Sequence, residues 1–161
     1  MKQQQKLLLI ISLLVASCTS LVPLSIERQE YNGNNLRIDG LYYLPGEYYF
    51  FLFQNGVYFD GGSTGLDLNA IEELYFNKSF NKNVYILPYC WGIFNIQGNQ
   101  INIEKWTSTD AFAPYKTTKF SGRVVNDTTL IINHPASSIG SDTFYFHQFM
   151  YKPDSTNKFI K

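Results

Sequence analysis

Paired turn residues divide the hydrophobic pattern of this chain. Asn55-Gly56 separates the apolar run Glu47–Gln54 from Val57–Asp60, and the pair suits a type I′ hairpin because both central residues need positive φ. Gly98-Asn99 joins Trp91–Gln97 to Gln100–Trp106, where Ile101 and Ile103 alternate with Asn102 and Glu104, predicting one dry face and one wet face. Asn126-Asp127 joins Phe120–Val125 to Thr128–Ile132 through residues that tolerate the left-handed region. With Arg37–Leu44 and Thr143–Tyr151, the expected count is eight strands. Between the third and fourth, Leu68, Ile71, Leu74 and Tyr75 recur at helical spacing behind the capping residue Asp67, predicting a short helix over 67–76. Gly61-Gly62-Ser63-Thr64-Gly65 before it lacks the Lys-Ser/Thr that a phosphate-cradling loop requires.

The start of the chain breaks this pattern. Lys2 and Lys6 flank three glutamines, and an apolar stretch from Leu7 to Ala16 follows. That length suits the core of a secretory signal, about 7 to 15 residues, and falls short of the roughly 20 that cross a bilayer. Val15-Ala16-Ser17-Cys18 resembles the lipobox of bacterial lipoproteins, which implies cleavage after residue 17 and acylation of Cys18. More than one acyl chain on that cysteine meets the two-signal requirement for stable anchoring. Thr19-Ser20 resembles neither the aspartate of inner-membrane retention nor the acidic run of surface export, so the expected site is the outer membrane, facing the periplasm. Residues 18–35, with Pro23 and Asn32-Gly33-Asn34-Asn35, read as a flexible tether, residues 36–151 as the folded domain and residues 152–161 as a loose tail whose Phe159-Ile160 can dock.

Eight strands joined mostly by hairpins favour an all-β, antiparallel up-and-down barrel, since closure removes exposed edges. Asp39-Gly40-Leu41-Tyr42 resembles the Gly-x-Trp first-strand motif of the lipocalin and fatty-acid-binding (calycin) class, with Tyr for Trp. That likeness implies a lipocalin-like barrel, here with its helix after strand three. The hairpins Gln54–Tyr58 and Trp91–Phe94 and the Val125-Asn126-Asp127-Thr128 turn also resemble small lipoproteins of Bacteroidota, a likeness that implies no activity.

Composition narrows the function. Thirteen basic side chains balance 13 acidic ones among 161 residues, and removal of residues 1–17 takes Lys2 and Lys6 away, leaving 11 against 13. Nucleic acid is therefore not the expected partner. With Cys18 acylated, Cys90 is the one remaining cysteine, which rules out an intramolecular disulfide and a cysteine metal cluster. Its apolar neighbours Leu87-Pro88-Tyr89 and Trp91 point to a buried, inert thiol. Neither His134 nor His147 has metal-ligand spacing, Glu72-Glu73 diverge on a helix as solvated charges, and Ser63 and Ser121 have no base beside them in the sequence. No catalytic site, metal or cofactor is expected.

The aromatic content, 17% of the chain, is the remaining signal. In strand two, Tyr48, Phe50 and Leu52 share one face and Tyr49, Phe51 and Phe53 the other, so neither face looks wet. Core packing, including packing against the helix, accounts for most of these rings. Two functional classes follow. One is a lipid-anchored protein holding a small hydrophobic ligand, with Tyr42, Tyr49, Trp91, Trp106, Tyr145 and His147 as candidate cavity residues. The other is a non-catalytic interaction or structural module of the envelope, using an exposed aromatic face.

Overall fold

Alternating side chains and short turns build eight strands, each hydrogen-bonded to its neighbours in the chain: β1 Gly40–Leu44, β2 Tyr48–Leu52, β3 Val57–Gly62, β4 Trp91–Gln97, β5 Gln100–Thr107, β6 Lys116–Asn126, β7 Thr129–Asn133 and β8 Ser141–Gln148. β8 returns to β1, with Leu41 opposite His147 and Tyr43 opposite Tyr145, so the antiparallel barrel is closed. The one α-helix among the described residues, α1, spans Leu68–Phe76 between β3 and β4, and the Asp67 carboxylate accepts from the Ala70 N–H at its start. The computed structural model describes residues 21–63, 65, 67–76, 87–108, 113–133 and 140–161. Cys18 and His134 lie outside them. The closed meander with its inserted helix is consistent with a lipocalin-like fold.

Two hydrophobic cores result, one on each side of the sheet. The inner core contains Tyr42, Phe50, Leu52, Tyr58, Phe94, Ile101, Ile103, Val124, Leu130, Ile132 and Phe144. The outer core packs Leu41, Tyr49, Phe51, Phe59, Trp91 and Trp106 against Ile71 and Tyr75 of α1 and against Phe149. This double burial is why strand two has no polar face. At roughly 25 cal/mol per Å² of apolar surface, both layers contribute to stability.

The outer layer corrects the expectation of a tether over 18–35, because residues 21–35 lie along the barrel. The Val22 carbonyl accepts from Trp106 Nε1 at 2.7 Å. The backbone N–H groups of Ser25 and Ile26 donate to Glu104 Oε2 at 2.6 and 2.8 Å, and the Glu27 carbonyl accepts from Asn95. Glu104, expected on a wet face, is therefore buried. Burial acts to raise its carboxyl, and the Ile26 and Ser25 N–H groups outweigh that and hold it below the usual carboxylate range. Farther along, the Tyr31 N–H donates to the Gln54 carbonyl and the Arg37 N–H to the Asp127 carbonyl, drawing the chain across one end of the barrel. Leu36 is buried there, and the Tyr42 hydroxyl donates to the Arg37 carbonyl at 2.9 Å.

The tail at 152–161 is also packed rather than loose. The Lys152 ammonium donates to the carbonyls of Ile38 and Leu52 and sits 4.4 Å from the Phe53 ring centroid. Asn55 donates to Ser155, and Phe159 meets Trp106 with ring centroids 6.3 Å apart. The outside of β2 to β5 thus carries two chain segments as straps.

Candidate functional site

The two barrel ends differ. At one, the turns β2–β3, β4–β5 and β6–β7 surround the plug formed by Tyr31, Leu36 and Tyr42. At the other, inward side chains leave a cavity of about 460 Å³, within the range typical of small-molecule sites. Its apolar wall comes from Phe50, Ile103, Phe120, Ile132 and Phe144, and Leu44, Glu47, Ser63, Thr107 and Asp142 line it as well. A second crevice of about 410 Å³ lies outside the barrel, between the β1–β2 turn and the start of α1, lined by Tyr49 and His147 among others.

Strand phase explains the lining. Tyr48 and Phe50 alternate with the outward Tyr49 and Phe51 on β2, and Ile103 and Lys105 alternate with the outward Glu104 and Trp106 on β5. Besides Glu47, Ser63, Thr107 and Asp142, two bonded pairs of polar groups are set into or beside this wall. The Tyr48 and Tyr58 hydroxyls lie 3.2 Å apart. Burial raises both phenols, with neighbouring Tyr58 adding to the effect on Tyr48, so both stay protonated; one O–H donates to the other hydroxyl, and the second is left to donate to a guest. The Lys105 ammonium forms an ion pair with Asp60, the two side chains being 15% and 8% exposed, which places paired charge at the cavity wall. Burial pulls Lys105 down to about 8, while the bonded carboxylate acts in the opposite direction. The cavity therefore offers an apolar wall with tyrosine hydroxyls, the Lys105–Asp60 ion pair and the carboxylates of Glu47 and Asp142, a composition that orients an amphipathic guest.

None of the six candidate cavity residues lines the barrel cavity, although Tyr49 and His147 both line the crevice outside it. Tyr42 points inward but fills the closed end, stacked on Phe50 with centroids 5.8 Å apart. Tyr49, Trp91 and Trp106 belong to the outer core. Tyr145 is exposed on the outside of β8 beside Tyr43, and His147 Nε2 lies 2.9 Å from Glu72 Oε1 on α1. Ring size alone does not mark the lining; the inward phase of each strand does. The lining residues Phe50, Tyr58, Ile103, Lys105 and Phe144 follow the strand alternation that puts Ile101 and Ile103 on the dry face.

Cys90 ends a short 3₁₀ turn, Pro88–Cys90, and is buried beside Trp91 in the outer core. Burial pushes its thiol up to about 12, away from the thiolate a nucleophile needs. Among the described residues, no group of three or more His, Cys, Asp or Glu side chains is placed to hold a metal ion. Comparison with protein families, curated proteins and solved structures finds no match to this chain.

Proposed function

We propose that this protein is a lipid-anchored lipoprotein of the bacterial envelope that holds a small hydrophobic molecule in its barrel. The cavity opposite the plugged end carries this reading: it is apolar along the strands, has hydroxyls and an ion pair in its wall, and opens at one end only. The lipobox at Val15–Cys18 supports the anchor and the outer-membrane location facing the periplasm. Catalysis is not needed to account for any of these features.

Two measurements test the ligand. Native mass spectrometry of the full chain, extracted in detergent from its own envelope, is expected to show a reproducible small adduct. The naphthylamine probe N-phenyl-1-naphthylamine is expected to bind the stripped protein, and Ile103→Trp, which fills the cavity, to weaken it by about tenfold or more, roughly 1.4 kcal/mol. No adduct and no probe binding would overturn the reading.

A second reading rests on a separate surface. Phe76 at the end of α1 is 61% exposed, Met150 is 82% exposed, and the Phe76 ring stands 5.2 Å from Tyr151. Such a patch suits an interaction or structural module. Co-purification of one envelope protein with wild type, lost on Phe76→Ser, is its expected signature.

A further inference from the structure

The first strap has a direction, and that direction fixes which barrel end meets the membrane. Val22 bonds to Trp106, near the end of β5. Ser25 and Ile26 follow at Glu104, Glu27 at Asn95 and Tyr31 at Gln54. The strap thus begins at the cavity mouth and ends at the plugged end, since Thr107 and Lys105 line the mouth. Fully extended, the chain from Cys18 to Val22 spans at most about 14 Å. Gln100, at the other end of β5, lies about 20 Å beyond Trp106 at roughly 3.3 Å per residue.

We infer that the cavity mouth faces the anchoring leaflet, and that the guest is an amphiphile exchanged directly with that bilayer. This rests on acylation of Cys18 and on the ligand-binding reading above. Surface chemistry at the mouth points the same way. Val22 is 46% exposed, and Tyr89, just ahead of β4 on the mouth side, is 41% exposed. An aliphatic side chain and an amphipathic ring at that rim suit the boundary between headgroups and acyl chains. Lys116 at the start of β6 and Lys158 beside Phe159 are exposed near this end, alongside the carboxylates of Glu47 and Asp142 at the mouth, so the rim carries both signs of charge, as a zwitterionic headgroup layer does. An amphiphile leaving the leaflet meets Glu47, Asp142, the Asp60-paired Lys105 and the Tyr48 hydroxyl around an apolar pocket without crossing water.

The test uses the full acylated chain in phosphatidylethanolamine and phosphatidylglycerol vesicles containing spin-labelled lipid. A fluorophore is placed on Ser63→Cys at the mouth or on Gln97→Cys at the plugged end; buried Cys90 does not compete for label. Quenching is expected to be severalfold stronger at position 63, and a Gly/Ser insertion between Ser20 and Leu21 is expected to reduce that difference. Equal quenching, or stronger quenching at position 97, overturns the orientation. A Cys18→Ala chain that still associates with vesicles overturns the anchor on which it rests. Probe binding in detergent separates the two readings. If N-phenyl-1-naphthylamine fails to bind while position 63 is quenched, the ligand reading and the exchange fail and the orientation stands. If it binds while quenching favours position 97, the ligand reading stands and the orientation fails.

Discussion

Glu104 holds the first strap by its carboxylate. It receives two backbone N–H groups and also lies 3.1 Å from the Ser25 hydroxyl. Hydrogen bonds to a charged group contribute about 1.5–3 kcal/mol, so Glu104→Ala is expected to lower unfolding free energy by about that amount at neutral pH. The folded carboxyl titrates below its unfolded value. Its contribution is therefore fully present above the unfolded value of about 4.3 and is lost as pH falls through the folded one. Urea unfolding at pH 7 and pH 3 should show the gap between wild type and Glu104→Ala closing in acid; a pH-independent gap would count against this. Lys152 gives a dependence of the same sign at alkaline pH. Burial pulls its ammonium down to about 8, so between about 8 and 10.4 the unfolded chain binds more protons and stability rises with pH. Relative to Lys152→Met, wild type should gain stability over that window; a flat difference would contradict the burial of charge at this site.

At the scale of elements, the turns were the most legible signal. Asn55-Gly56 and Gly98-Asn99 sit between the pairs β2–β3 and β4–β5, with Gly56 and Gly98 at positive φ; at β6–β7 the turn falls one residue later than expected, on Asp127-Thr128, because a register shift at Val124/Asn126 carries β6 through Asn126. Gly56 has φ of 78° and carries a further constraint, since a Cβ there would lie 2.3 Å from the Gln29 carbonyl oxygen. Gly56→Ala is thus expected to strain the hairpin and displace the strap together, at a cost of about 1–3 kcal/mol seen as a lower thermal midpoint. The straps themselves were illegible for a physical reason. Residues 21–35 make their bonds to a carboxylate, an indole and isolated carbonyls, so no period of two or 3.6 is imposed on their sequence. The second apolar face of strand two was the clue, because a β-strand dry on both sides needs a cover. The cavity was half legible: alternation separates inward from outward residues, yet only tertiary closure shows that Tyr42 fills the plugged end while Phe50 and Phe144 leave space.

For the whole molecule, the sheet separates two layers that respond differently to mutation. The cavity is inside, whereas α1, both straps and Phe149 are outside. Removing residues 152–161 would uncover Trp106 and take away Phe159 and Ile160, which are packed against the outer core. At about 25 cal/mol per Å² this is expected to cost roughly 2–4 kcal/mol, measurable by denaturant unfolding. Probe affinity should be retained under native conditions, because none of the residues removed lines the cavity. A loss of binding without a loss of stability would show that the tail reaches the ligand.

Val22 and Phe159 converge on the same indole, with a mechanical consequence. Force applied between the two ends of the described chain enters the molecule at one place and loads each strap from its mouth-side contact first. Peeling then breaks contacts in series, where shear along a strand would load many bonds at once. Under tension the straps yield at low force and leave the barrel ladder intact, so the mouth side of the protein carries its own slack.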